Sequence, residues 1–115
     1  MNTISAAEMM YDSAKKSLDK AKKDMIDSFS TNANQTIRWK AEDVVKKEFI
    51  AATWENFLNI ARQATVQDAI NDTRKELMRE LRSSVRHTDA FSRAVAEATR
   101  EAASMMLDQI EALPA

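Results

Sequence analysis

Residues 34–63 read NQTIRWKAEDVVKKEFIAATWENFLNIARQ, thirty positions without a glycine or a proline. At 100° per residue, Ile37, Ala41, Val44, Val45 and Ala52 gather on one side of a helix. Ile50, Trp54, Phe57, Leu58 and Ala61 gather on nearly the opposite side, so the apolar stripe changes face near Ile50. Two arrangements satisfy that pattern. The helix breaks near residues 51–53, with Thr53 capping a new one, or it runs on and buries its two faces against different neighbours. Because no residue in the stretch breaks a helix, the unbroken rod is the expectation. A second copy of the chain is then expected to cover one face. The expected interface is Trp54, Phe57, Leu58 and Ile50, with Trp39 as a further aromatic anchor, a role in which tryptophan is enriched.

The flanking segments carry the same period. Ahead of the rod, Ala7, Tyr11, Ala14, Leu18, Ala21, Met25 and Ser28 recur at alternating four and three residues, a heptad seam in which alanine lets a neighbouring backbone approach. Ser5 with Glu8 has capping-box spacing and Ile4 with Met9 the spacing of a hydrophobic staple, which predicts a helix over about 6–29. Residues 30–36 are polar and rich in side chains that bond their own backbone, the best linker in the chain. Beyond the rod, Thr65 followed by Asp68 predicts a helix over about 66–84, with Val66, Ile70, Thr73, Leu77 and Leu81 as its apolar row. Thr88 and Asp89 open a fourth, over about 89–113, stopped by Pro114, with Phe91, Val95, Ala98, Ala102, Met105 and Gln109 at heptad spacing. Four helices over about 6–29, 34–63, 66–84 and 89–113 make one all-α, four-helix bundle-like domain spanning 1–115, closed within one chain or completed by dimerisation.

Composition narrows the chemistry. The chain has 115 residues, 17 Lys plus Arg against 18 Asp plus Glu, one His, no Gly, no Cys and one Pro. Without glycine there is no phosphate-binding loop, dinucleotide fingerprint or nucleophile elbow. Without cysteine there is no disulfide, thiolate metal site or thiol nucleophile. Charged residues at 30% and hydrophobic ones at 44% suit a folded, water-exposed chain and not a disordered one. No apolar run is long enough to cross a bilayer, and Glu8 and Asp12 interrupt any leader-like start, so the expected setting is the cytoplasm.

Few side chains form a constellation. Lys75, Arg79, Arg82 and Arg86 stand four, three and four residues apart, a cationic row directly opposite Val66, Ile70, Leu77 and Leu81. Such a row tracks phosphates in a nucleic-acid binder or forms an ordinary solvated face. Residues 65–87 carry five basic and four acidic side chains, a net of +1, and 88–115 a net of −3. That polarity suits orientation of helices or of a charged partner. Arg38, Trp39 and Lys40 point in three directions on a helix and form no single platform. His87 has no second imidazole, and the paired Glu-x-x-His motifs of carboxylate-bridged bundles are absent. Hence no catalytic residue, metal ligand or cofactor is expected. Seven methionines, with Met9-Met10 and Met105-Met106 adjacent, fill irregular core space or form an adaptable contact surface. The expected function is a non-enzymatic helical protein–protein interaction protein (an adaptor, inhibitor, chaperone or assembly factor) acting as a homodimer. The alternative is a regulator that binds nucleic acid through Lys75, Arg79, Arg82 and Arg86.

Overall fold

A computed structural model describes residues 2–28, 34–82 and 89–113. Four helices account for almost all of them: α1 (Thr3–Ser28), α2 (Asn34–Gln63), α3 (Val66–Arg82) and α4 (Ala90–Glu111). The fold is an all-α, bundle-like arrangement measuring 47 × 31 × 21 Å. Its long axis is set by α2, whose 30 residues at 1.5 Å each span about 45 Å.

The start of α1 differs from the expectation. Asn2, not Ser5, closes the N-terminus: its Oδ1 accepts the Ser5 backbone N–H at 2.7 Å. Ser5 therefore sits inside the first turn. Both residues are good caps with a free acceptor, and three residues of helix separate the two solutions. In α3, Thr65 Oγ1 accepts the Asp68 N–H at 3.0 Å, so the link from α2 needs only residues 64 and 65. In α4 the cap is Asp89: Oδ1 accepts the Ser92 N–H at 2.7 Å and Oδ2 the Ser92 hydroxyl at 2.9 Å. A carboxylate there also faces the positive end of the helix dipole.

The rod is unbroken. Thr53, the residue that would have capped a new helix, instead donates its hydroxyl to the Phe49 carbonyl one turn back, at 2.8 Å. Around this central helix the other three are arranged. α1 lies along α2, α3 packs on α2 and α4, and α4 packs on α2 and α3. Ion pairs report the directions. Arg62 reaches Glu8 at 3.7 Å and Lys22 reaches Glu48 at 3.8 Å, so α1 and α2 are antiparallel. Lys46 bonds Glu101, and Trp54 lines a groove with Gln109, so α2 and α4 are parallel. Apart from Lys46, about one-third exposed, these charged side chains are about half exposed or more; such pairs contribute under about 1 kcal/mol each and mark register more than they add stability.

The core answers the question the two apolar faces raised. Val44, Ala51 and Leu58 are buried at seven-residue spacing, and Leu58 lies beside Tyr11 of α1. Trp54, Phe57 and Ala61 are buried on the adjoining face, in one cluster with Ala69 and Leu77 of α3 and Ala103, Met106 and Ile110 of α4. Together these side chains cover an arc of about 140° on the helix, wider than the stripe of about 100° that suffices for a surface helix. Three neighbours from the same chain cover it. Ala52, placed on the first face by the sequence pattern, is exposed.

The alanine-rich seam of α1 is buried at Ala7, Ala14, Leu18 and Ala21. That of α4 turns from its expected setting. Met106 is fully buried with Ala102 and Ala103, whereas Met105, expected in the seam, is 48% exposed. A heptad row describes one partner helix, and α4 packs against two, so its buried face is rotated toward α3.

Candidate docking surface

Residues proposed from sequence as an interface divide according to this packing. Trp54, Phe57 and Leu58 are buried within the single chain and Ile50 is half-buried beside them. In the single chain they form the core beneath α1, α3 and α4, with Ile50 and Trp54 also lining a shallow groove between α1, α2 and α4. A helical wheel locates an apolar face but not the helix that covers it. The Trp39 side chain, Arg86 and His87 lie outside the described residues.

The face left open belongs to α3. Its sequence separates sharply into two sides. Ala69, Thr73 and Leu77 are buried, with Val66, Ile70 and Leu81 half-buried beside them. On the other side an open groove of about 670 Å³ is lined by Asn71, Arg74, Lys75, Met78, Arg79 and Arg82. Lys75, Arg79 and Arg82 are three of the four cations read from the sequence as one row. Arg74 joins them from the far flank of the helix, across Met78. The four-three-four spacing runs past Arg74, yet its positions three after Asn71 and four before Met78 would have placed it there.

The electrostatics of this face are lopsided. Arg79 Nη1 lies 3.1 Å from Glu76 Oε1, an exposed pair one turn apart. Arg74, Lys75 and Arg82 carry no ion pair among the described residues. Four cations therefore sit within nine residues, about 12 Å of helix. Successive cations are at most four residues, about 6 Å, apart along the helix axis, within the Debye length of about 8 Å at physiological salt, so their fields add. Met78, 36% exposed, supplies a flexible apolar contact in their midst. Long cationic side chains around a thioether can hold an acidic, amphipathic surface by charge at the edges and dispersion at the centre.

A second concave surface has the opposite sign. Between α2 and α4, a cleft of about 250 Å³ is lined by Glu42, Asp43, Lys46, Ala94, Glu97, Ala98 and Glu101. Four carboxylates face one ammonium there, and Lys46 is already engaged by Glu101. No group of three or more His, Cys, Asp or Glu among the described residues is placed to hold a metal ion. No described helix is long and apolar enough to cross a membrane. Comparison with protein-family models, with curated proteins and with solved structures finds no match to this chain.

Proposed function

We propose that this chain is a non-enzymatic helical interaction protein, of the adaptor or assembly-factor kind, that docks an acidic amphipathic helix on the outer face of α3. One observation carries the reading: Arg74, Lys75, Arg79 and Arg82 surround Met78 along an open groove. Chemistry on a substrate needs a pocket that excludes water and fixes reacting atoms. A groove this open, whose described lining comes from one helix, suits contact instead. Apolar packing onto Met78 gives affinity, and the cations steer and orient the partner. Three exposed methionines, Met9, Met78 and Met105, favour a reducing cytoplasmic setting, since surface thioethers oxidise readily to sulfoxides.

The same cations support the competing reading, in which they track nucleic-acid phosphates. Met78 separates the two. The test is fluorescence anisotropy of the full chain with a synthetic acidic amphipathic helical peptide, and separately with duplex DNA and single-stranded RNA. Docking of protein is expected to weaken tenfold or more on Met78→Ser, since packing onto a buried thioether is worth roughly 1.4 kcal/mol or more. Binding of DNA or RNA that ignores Met78→Ser, with no binding of the peptide, would replace this reading by the nucleic-acid one.

A further inference from the structure

We infer that the α3 groove takes the α2–α4 cleft of a second copy of this chain, so that the protein assembles with itself through two unlike surfaces. The inference rests on the docking reading of α3 and names its partner. The two surfaces are complementary in charge. The groove offers four cations, while Asp43 and Glu97 at the cleft carry no ion pair among the described residues. Both surfaces also carry apolar atoms among their charges. Met78, 36% exposed, lies between Arg74 on one flank and Lys75, Arg79 and Arg82 on the other, and Ala94 and Ala98 line the cleft one turn apart.

Among the described residues, groove and cleft have no lining residue in common, so the groove of one copy is free to receive the cleft of another. Such a contact is heterologous. Each pairing leaves one groove and one cleft unused, and association repeats head to tail. Because the attraction is largely between exposed charges, it weakens as salt rises. The apolar core takes no part in it, in contrast to a dimer that shares Trp54 and Phe57.

Complementation by sedimentation velocity tests this with the full chain at low ionic strength. The wild type is expected to show an average mass above 13.0 kDa that grows with concentration and falls on addition of salt. Lys75→Glu with Arg79→Glu cancels the groove's charge, and Asp43→Lys with Glu97→Lys reverses the cleft's. Each double variant alone is expected to stay at one copy, and circular dichroism checks that each remains helical. Mixed in equal amounts, they retain one good groove and one good cleft between them and are expected to form a two-copy particle that grows no further. A wild type that stays at 13.0 kDa, or a mixture that does not associate, overturns the inference. If the acidic peptide still binds α3 in that case, the docking surface stands and only its occupant is wrong. Loss of peptide binding as well removes both.

Discussion

Trp54 and Phe57 meet edge to face inside one copy of the chain, ring centroids 5.6 Å apart and planes at 72°. They sit one turn apart on α2, and both are at most 1% exposed. Edge-to-face contact adds about 0.5–1.5 kcal/mol to the apolar area each ring removes from water. Phe57→Ala opens a cavity beneath three helices and is expected to lower stability by about 3–5 kcal/mol. Urea unfolding followed by circular dichroism measures it. A loss below about 1 kcal/mol would mean that Phe57 is not in the core of the single chain.

Continuity of α2 has its own test. Ala52 is exposed, so its side chain contributes little, and its backbone N–H belongs to the helix ladder. Ala52→Pro is expected to cost about 3 kcal/mol or more through the lost hydrogen bond and the ring clash. Ala52→Ser, as control, should stay within about 0.5 kcal/mol. Equal stability of the two variants would indicate a break at residues 51–53.

Thr73 turns its hydroxyl toward the core, where Oγ1 is buried and meets no hydrogen-bond partner among the described residues. Thr99 shows the usual remedy, donating to the Val95 carbonyl four residues back at 2.9 Å. Thr73 does not. Thr73→Val keeps the shape and removes the unmet polar group, so stability is expected to rise by about 1 kcal/mol. A fall in the urea midpoint would show that the hydroxyl is satisfied in solution.

Asp89 holds the start of α4 through two acceptor atoms. Asp89→Ala is expected to cost about 1 kcal/mol, and Asp89→Ser to restore most of it, because serine also caps. Amide hydrogen exchange in residues 90–93 should accelerate in the alanine variant alone. Uniform acceleration along α4 would point instead to global loss of stability.

Much of this architecture is legible in the residues. The missing glycine and proline leave α2 no place to break. The heptad seam of α1 faces a single helix, so its period reads directly as a buried stripe. Thr65 announces α3 because its hydroxyl sits three residues before the amide it caps. The misread features share a cause. Asn2 and Ser5 are interchangeable as local caps, and only the packed position of the first turn chooses between them. Met105 and Met106 differ by 100° around α4, and which one is buried depends on α3 as well as α2. Apart from these misreadings, Trp54, Phe57 and Leu58 have the composition of an interface and of a core alike, and a helical wheel by itself does not choose between them. The cationic side of α3 was visible as spacing, whereas the opposing acidic cleft was not. Its carboxylates come from helices about fifty residues apart in sequence, and only the parallel packing of α2 and α4 joins them.

Whether one copy completes its own core is decided by sedimentation equilibrium and circular dichroism together at about 1 M salt, where a Debye length near 3 Å silences contacts between exposed charges. We expect a fully helical particle of 13.0 kDa, with Trp54 and Phe57 covered by α1, α3 and α4. A two-copy particle that persists at that salt, and loses helix whenever dilution separates it, would contradict the account.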